Sequence, residues 1–290
     1  MPRPRALRVL VVCTDREPPP GRLGERERAA APPGGERRRR WLRSRHAQRT
    51  LLGVLGLPGG TTAHRYPNRR LSLTHTDRCS AVAGVVGPLP PPLAGVGLDL
   101  EPPRPADPRT ARFFLDDREQ GWLADVPERR RAEEHVRLWT LKEALFKADP
   151  GNAAATLRDY AVHDPAAPHG PARRDRSGLA FGYVTGRIPA GRLSVALSLN
   201  TRPAPARRTP DMPAPALDFA QVTERISGVL SIPAADLTPQ TPLRSLTMDS
   251  FVLVELIVDL QEEFDAVFSQ AELKEVETLG ELVDLLRTAR

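Results

Sequence analysis

The sequence predicts an α+β fold followed by a small all-α domain. Residues 1–200 mix strand-like runs with helical stretches, and this mixed order is typical of α+β proteins. Residues 201–216 alternate proline with other residues and show no apolar periodicity, which indicates an extended linker. Residues 217–290 carry apolar residues at helical spacing in three stretches. We therefore expect three parts, with boundaries after residues 200 and 216.

The expected elements follow from periodicity and turn residues. The apolar run at 7–13 predicts a strand, because it is too short for a signal peptide. Residues 17–40 are rich in Pro, Gly and Arg, and we expect a mobile loop there. Helical spacing predicts one helix at about 41–55 and the longest helix at about 127–148. Further strands are expected at 71–76, 80–86, 95–101, 157–163, 179–187 and 192–199.

The charge of the chain is unevenly distributed. The net charge at pH 7 is +6, yet residues 217–290 contain 14 acidic and 5 basic residues and so carry −9. The rest of the chain contains 37 basic and 22 acidic residues, which leaves +15. A basic body joined to an acidic tail favours electrostatic pairing between the two parts, or binding of anions by the body.

The cations are almost all arginines, with 39 arginines against 3 lysines. Two of the lysines, Lys142 and Lys147, lie within one six-residue stretch. Because ammonium and guanidinium groups are not interchangeable in chemistry, this clustering indicates that the stretch requires ammonium groups.

Cysteine content and hydropathy bear on location. The only two cysteines, Cys13 and Cys79, are too few for a disulfide framework. No apolar run reaches the roughly 18 residues that a membrane-spanning helix needs. We therefore expect a cytoplasmic protein with no membrane partner.

One serine of the acidic tail stands at a predicted helix start. The segment Met248-Asp249-Ser250-Phe251 follows a turn-like stretch and precedes an amphipathic one. Free N–H groups and the positive end of the helix dipole favour a phosphate at such a position, so Ser250 is suited to carry a phosphodiester. From the dipeptide alone, the alternative is that Asp249 and Ser250 only cap the helix.

The whole tail, residues 217–290, resembles acyl and peptidyl carrier proteins in its length, its acidic composition and its long first loop. Within it, Asp249-Ser250-Phe251 resembles the Asp-Ser-Leu motif of that family. The resemblance implies a four-helix bundle in which Ser250 carries 4′-phosphopantetheine covalently. Thr247 and Phe251 stand where many carriers have Gly and Leu, which leaves the carrier subclass open.

The segment Gly95-Val96-Gly97-Leu98-Asp99-Leu100-Glu101 alternates apolar residues with glycine or acidic residues. On a strand, Asp99 and Glu101 therefore lie on the same face. Two such carboxylates suit Mg²⁺, a hard cation that binds carboxylate oxygens and often shares them with substrate phosphates. The alternative for an isolated Asp-x-Glu is a solvated strand end.

A second segment, Trp139-Thr140-Leu141-Lys142-Glu143-Ala144-Leu145-Phe146-Lys147, falls in the longest predicted helix. Glu143 and Lys147 stand four residues apart and so share a helix face. Taken alone, this pair is most simply an exposed ion pair of small energetic value. Its position about 40 residues after the Asp-x-Glu strand is more specific.

Together, the two segments resemble the signatures of the surfactin-type (Sfp-type) 4′-phosphopantetheinyl transferases, which read roughly Gly-Ile-Asp-Ile-Glu and Trp-Ser-x-Lys-Glu-Ala-x-x-Lys. The resemblance covers about residues 41–165 and implies a pseudo-dimer of two α+β halves with the active site in the cleft between them. Further segments similar to the family are His46–Gly53, Leu71–Thr76, and Arg112–Phe114 with Glu119 following.

The resemblance also implies roles in the chemistry. Asp99, Glu101 and Glu143 would hold Mg²⁺ on the pyrophosphate of coenzyme A while a carrier serine attacks phosphorus and 3′,5′-ADP leaves. The base would be Glu143 or a water on the metal. Lys147 would stabilise the departing phosphate, and Lys142 would assist it.

Phosphate contacts are implied for four other residues. His75 and Arg49 would bind the nucleotide phosphates, and Arg43 and Arg45 would add to the 3′-phosphate site. The alternative for His75 is a structural strand histidine. The sequence departs from the family before this histidine, where no clear Gly-Lys-Pro-like segment is present and Tyr66-Pro67-Asn68 stands nearby.

The sequence therefore predicts a Mg²⁺-dependent enzyme that modifies carrier proteins, its own Ser250 included. Expected partners are coenzyme A, the chain's own carrier domain and separate carriers of polyketide or nonribosomal peptide assembly. One alternative is a non-catalytic scaffold that docks carriers. Another is a nucleic-acid-binding protein, but aromatic residues make up only 5% of the chain and no recognition motif is present.

Overall fold

The computed structural model describes most of the chain, in segments that are long up to residue 246 and short between 252 and 273. The described residues are 7–57, 60–64, 66, 68–89, 93–105, 107–152, 155–174, 179–200, 219–230, 232–246, 252–253, 256–257, 260, 264, 266, 272–273 and 275–288. The chain divides into two compact units. The first comprises Met1–Ala106 and Leu115–Ala204, and the second comprises Asp107–Phe114 and Pro205–Arg290.

The first unit begins with a three-stranded antiparallel sheet. Its strands are β1 (Val9–Thr14), β2 (Leu71–His75) and β3 (Ser80–Val85), in the order β1-β3-β2. Helix α2 (Gly35–Val54) packs on this sheet and buries aliphatic side chains against it. The buried cluster consists of Ala47, Leu51, Leu52, Leu71 and Val82.

A five-stranded antiparallel sheet forms the rest of the first unit, in the order β4-β8-β7-β6-β5. Helices α4 (Asp117–Asp125) and α5 (Glu128–Ala148) accompany it, and α5 makes extensive contacts with β4 and β8. The strands are β4 (Leu93–Glu101), β5 (Tyr160–Val162), β6 (His169–Arg174), β7 (Leu179–Ile188) and β8 (Gly191–Asn200). This mixture of helices and antiparallel strands confirms the α+β class, while the pseudo-dimeric relation of the two halves stays a prediction.

Two glycines of β4 let α5 approach closely. A Cβ atom built on Gly97 would lie 1.8 Å from the carbonyl oxygen of Ala144, and one built on Gly95 would lie 2.3 Å from that of Ala148. These distances are far inside van der Waals contact, so any larger residue would push the helix away. Because Gly95, Gly97, Asp99 and Glu101 alternate onto one face, the glycines that admit α5 also bring its side chains to the two carboxylates.

The N-terminal region differs from the sequence prediction. A short helix α1 (Glu25–Ala29) and the first turns of α2, which starts at Gly35, occupy parts of the expected loop at 17–40. The buried carboxylate of Glu27 anchors this region, because it accepts hydrogen bonds from the backbone N–H of Gly24 at 2.8 Å and of Thr61 at 2.8 Å. The prediction of a loop is therefore wrong for the two helical stretches.

The other predicted strands and helices of the first unit are confirmed to within a few residues. Strand β6 is an additional one that the sequence did not indicate. Its sequence, His169-Gly-Pro-Ala-Arg-Arg, has no apolar alternation and contains both Gly and Pro, which are disfavoured in strands.

Helices make up the described regular structure of the second unit. They include α3 (Ala111–Phe114), α6 (Phe219–Leu230), α7 (Leu243–Leu246) and α8 (Leu279–Thr288). A capping box begins α8, since the Glu281 carboxylate accepts from the Thr278 N–H at 3.0 Å and Thr278 Oγ1 accepts from the Glu281 N–H at 3.3 Å.

Most of the described buried side chains of the second unit are aliphatic. Its fully or nearly buried side chains recur at helical spacing, as expected for carrier-type helices. They include Val222, Ile226, Leu256, Ile257, Leu260, Leu279, Leu282, Val283 and Leu286. Ser250 lies outside the described residues, and the four-helix arrangement stays a prediction. Among the described helices, none combines the length and apolar character that crossing a membrane requires.

Candidate active site

Strand β4 and helix α5 bring three of the predicted residues together. Lys147 Nζ lies 2.7 Å from Asp99 Oδ1 and 3.9 Å from Glu143 Oε2. Asp99 is 3% exposed, whereas the Lys147 side chain is 31% exposed. The cluster is therefore buried at the strand and open on the side of the helix.

The charge on Lys147 is secured by its surroundings. Burial works to lower its pKa, but the carboxylates of Asp99 and Glu143 outweigh burial and raise the pKa above its usual value. Lys147 is therefore an ammonium ion at physiological pH, available to bind a phosphate oxygen.

Asp99 uses its two carboxylate oxygens differently. Oδ1 accepts hydrogen bonds from Lys147 Nζ at 2.7 Å and from the Thr74 hydroxyl at 3.0 Å. Oδ2 is buried and has no hydrogen-bond partner among the described residues. A buried carboxylate oxygen without a donor is costly, so Oδ2 has the character of a ligand position.

Glu101 is engaged on both oxygens. Arg104 forms an ion pair with Oε2, and the indole N–H of Trp139 donates to Oε1 at 3.3 Å. Among the described residues, no three side chains of the His, Cys, Asp or Glu type converge closely enough to hold a metal ion by themselves.

The donor set nonetheless fits a hard divalent cation that shares its coordination with substrate phosphates. Mg²⁺ is commonly bound through one or two carboxylates, with phosphates and waters completing the shell. The bare Oδ2 of Asp99 and the neighbouring carboxylate of Glu143 supply that number, while Glu101 would first have to leave Arg104.

His75 is the last residue of strand β2, and the charges of Asp99 and Lys147 influence it. Burial, with a further contribution from the cations Arg40 and Lys147, lowers its pKa to about 4. The imidazole is therefore neutral at pH 7, so it can donate or accept a hydrogen bond but contributes no charge. Arg40 itself pairs with Asp77 at 3.0 Å.

The three arginines of α2 predicted to bind nucleotide phosphates instead make contacts within the protein. Arg43 pairs with Glu36 at 2.7 Å and donates to the backbone oxygen of Asp77. Arg45 donates to Gln48 Oε1 at 2.9 Å, and Arg49 donates to the backbone oxygen of Arg22 at 2.9 Å. The contacts of Arg43 and Arg49 with backbone oxygens hold loops onto α2, while the hydrogen bond of Arg45 to Gln48 stays within the helix. The structure therefore does not gather the three guanidinium groups at the carboxylate cluster.

Lys142 is also not part of the cluster. Its side chain is fully buried and lies 2.6 Å from Glu119 Oε2, and it donates to the backbone oxygen of Tyr160 at 2.5 Å. Glu119 in turn accepts from the N–H of Val162 at 2.9 Å and from that of Asp116 at 2.9 Å. We assign Lys142 a structural role, because this network joins α4 and β5 to α5 and leaves no room for substrate.

Sequence reasoning missed two residues close to the cluster. Thr74 belongs to the segment Leu71–Thr76 that resembles the family, but only His75 of that segment was assigned a role. Arg40 was hidden in a run of four arginines that was interpreted as loop. Neither contact has a local signal, because Thr74 and Asp99 are 25 residues apart and meet only when β2 lies beside β4.

Two segments of the chain match known protein families. Residues 95–181, which contain the cluster on β4 and α5, match the family model of the 4′-phosphopantetheinyl transferase superfamily. Residues 220–286 match the model of the phosphopantetheine attachment site. Over 74 residues, 24% of this chain and 78% of the relative, the chain is 38% identical to an acyl carrier protein of Saccharopolyspora erythraea. Residues 95–181 thus match the 4′-phosphopantetheinyl transferase superfamily, and the same polypeptide carries, at residues 220–286, a phosphopantetheine attachment domain of the carrier-protein family.

Proposed function

We propose that this chain transfers 4′-phosphopantetheine from coenzyme A to the serine of a carrier protein, including its own Ser250, and releases 3′,5′-ADP. The observation that carries the proposal is the Asp99–Lys147–Glu143 cluster, because it combines a bare carboxylate oxygen, a fixed ammonium and a second carboxylate in the segment that matches the family. Such a set can bind a pyrophosphate and accept a proton. The activity is that of a holo-[acyl-carrier-protein] synthase.

Asp99 and Glu143 are the residues that would hold Mg²⁺ in this reaction, and Glu101 would join them after leaving Arg104. When bound, the cation supplies neutralisation and orientation of the pyrophosphate. The protein residues supply the rest. Asp99 is held in place by Thr74 and Lys147, so its ligand oxygen needs no reorganisation.

The transfer is a displacement at phosphorus. The serine hydroxyl oxygen forms a bond to the phosphorus that bears pantetheine, and the bond from this phosphorus to the bridging pyrophosphate oxygen breaks. The electron pair of the broken bond leaves with 3′,5′-ADP. The serine proton goes to the carboxylate of Glu143, which is 14% exposed and therefore reachable from solvent.

Lys147 stabilises the charge that builds on the leaving phosphate. Its ammonium is fixed by Asp99 and its raised pKa keeps it charged. His75, neutral in the isolated protein, is suited to donate one hydrogen bond to a phosphate of the nucleotide. Arg40 is a further guanidinium candidate for the same phosphates, since its charge contributes to lowering the pKa of His75.

Three features support the chain's own carrier domain as a substrate. The tail carries −9 and the rest of the chain +15, so the two parts attract each other. Residues 201–216 are long enough, at about 3.1 Å per residue, to span roughly 50 Å. Tethering would raise the local carrier concentration towards the millimolar range. We further propose separate carriers of polyketide or nonribosomal peptide assembly as partners, and secondary metabolism in the cytoplasm as the setting.

The test uses the apo full-length chain, coenzyme A and a separate apo acyl carrier protein, with and without Mg²⁺. Chromatography follows 3′,5′-ADP, and mass spectrometry follows the separate carrier. We expect Mg²⁺-dependent release of 3′,5′-ADP and modification of the carrier by the parent chain, and neither by Glu143→Gln, which keeps the side-chain shape. Binding of the carrier without release of 3′,5′-ADP would instead identify a non-catalytic docking scaffold.

A further inference from the structure

The two sheets of the first unit are joined by two hydroxyl groups of one strand. Ser72 and Thr74 alternate onto the same face of β2 and are both nearly buried. The Ser72 hydroxyl accepts from the backbone N–H of Leu98 at 2.9 Å, and the Thr74 hydroxyl donates to Asp99 Oδ1 at 3.0 Å. One hydroxyl thus binds backbone, and its neighbour binds the side chain of a candidate metal ligand.

The hydrogen bond from Thr74 determines which carboxylate oxygen of Asp99 has no donor. With Thr74 and Lys147 both donating to Oδ1, that oxygen has two donors, whereas the buried Oδ2 has none among the described residues. If the Thr74 hydroxyl were absent, the carboxylate could rotate to share Lys147 between both oxygens. The hydroxyl therefore selects one rotamer of a carboxylate that is 3% exposed.

We propose that Thr74 is a positioning residue for the transferase reaction, holding Oδ1 of Asp99 so that Oδ2 is presented to the divalent cation. The inference rests on the proposed function, which supplies the cation. Thr74 acts through its hydrogen bond to Asp99. It acts as the hydrogen-bonded partners of metal-ligating side chains do, and removal of such a partner typically weakens metal affinity by about 10–100-fold.

The test measures binding of Mn²⁺, a paramagnetic substitute for Mg²⁺, by electron paramagnetic resonance. All variants are made in the Ser250→Ala chain, so that added coenzyme A is not consumed by self-modification. Titrations are run with Mn²⁺ alone and with Mn²⁺ plus coenzyme A. Thr74→Val replaces the hydroxyl with a methyl group of similar shape, and Thr74→Ser restores the hydroxyl.

We expect Thr74→Val to weaken Mn²⁺ binding by about 10–100-fold and Thr74→Ser to bind within about threefold of the Ser250→Ala reference. Ser72→Ala is the matched control, because it removes the neighbouring hydroxyl bridge between the same strands without touching Asp99. It should lower the thermal midpoint but leave Mn²⁺ affinity within about twofold. If Thr74→Val does not fold, Thr74→Ala takes its place.

Equal Mn²⁺ affinity in Thr74→Val and the reference overturns the inference, as does equal weakening in Ser72→Ala, which would indicate a general effect of loosening the sheets. Absence of Mn²⁺ binding to the reference under both conditions also overturns it. The proposed function fails separately, if the parent chain with Ser250 present releases no 3′,5′-ADP in the transfer assay whatever its Mn²⁺ affinity.

Discussion

Two lysines of one helix, five residues apart, are placed in opposite circumstances. Lys142 is fully buried between Glu119 and the backbone of Tyr160. Lys147 is 31% exposed and joins Asp99 and Glu143. Both are paired with a buried carboxylate, yet only Lys147 of the two is partly exposed. The two lysines therefore differ in exposure and in what lies beside them: a buried carboxylate oxygen without a hydrogen-bond partner among the described residues lies beside Lys147.

The pKa directions follow the same division. The pKa of Lys142 is lowered, because burial is the dominant influence and the attraction of Glu119 only opposes it. The pKa of Lys147 is raised, because two carboxylates outweigh burial. Burial therefore outweighs the acidic neighbours of Lys142, Glu119 first among them, whereas the acidic neighbours of Lys147 outweigh burial.

The largest effect on activity is expected for substitution of Lys147, the partly exposed lysine. Lys147→Met removes the fixed ammonium, so kcat/KM for transfer should fall by about 10²–10³, the usual cost of losing one group that stabilises a transition-state charge. The loss of thermal stability should be smaller than for Lys142→Met, because water can reach this position. Lys147→Arg keeps the charge and should recover part of the activity. Unchanged kcat/KM in Lys147→Met would remove Lys147 from the mechanism.

Substitution of Lys142, the buried lysine, should instead lower the stability of the protein. Lys142→Met leaves the carboxylate of Glu119 buried without its charge partner, which typically costs about 3–5 kcal/mol of unfolding free energy. The thermal midpoint should drop by on the order of 10 °C, while kcat/KM of the folded fraction at low temperature stays within a few-fold. The double variant Lys142→Met/Glu119→Gln should recover part of the loss. A selective loss of kcat/KM with an unchanged midpoint would return Lys142 to a catalytic role.

The approach of α5 to β4 can be tested at Gly97. In Gly97→Ala the new Cβ atom would meet the backbone oxygen of Ala144, so we expect a loss of about 1–3 kcal/mol, typical of overpacking. Because the helix must shift, both Lys147 and Glu143 should move relative to Asp99 and activity should fall too. Gly121→Ala, in helix α4 with no atom near the added methyl, is the control. Denaturant unfolding measures the stability of Gly97→Ala and of Gly121→Ala. Equal stability of the two variants would contradict the close packing of α5 against β4.

The smallest effect concerns pH. The folded pKa of His75 is about 4, below its ordinary value of 6.5, so the unfolded chain binds more protons between these values. Its contribution to stability is therefore fully present above about pH 6.5 and is lost as pH falls towards 4. The slope from this one group is under about 1.4 kcal/mol per pH unit. Unfolding of the parent at pH 7 and pH 5, compared with His75→Gln, should show a shallower loss in the variant; identical losses would contradict the lowered pKa.

Much of the first unit could be predicted from the sequence, because its signals are local. The alternation from Gly95 to Glu101 predicted a strand with two acidic residues on one face, and the spacing of Glu143 and Lys147 predicted a shared helix face. Helix geometry also contains a signal that went unused. Five residues at about 100° each place Lys142 and Lys147 roughly 140° apart around the helix axis, which agrees with their different partners.

What could not be predicted depends on contacts between distant segments. Glu27 anchors the N-terminal helices through Thr61, 34 residues away, and composition alone indicated a loop. Arg43 and Arg49 were expected to bind phosphates, but Glu36 and Glu27 compete for their guanidinium groups. The ion pair of Glu101 with Arg104 was equally invisible, since an i, i+3 spacing on a strand end does not define a side-chain contact.

The central claim is that one polypeptide contains both the transferase and the serine it modifies. Intact-mass measurement tests it most directly, using apo protein incubated with coenzyme A and Mg²⁺ as the parent, as Glu143→Gln and as Ser250→Ala. We predict that only the parent gains the mass of one phosphopantetheine group. A gain of the same mass by Glu143→Gln with no other transferase present, or by Ser250→Ala, would contradict the account.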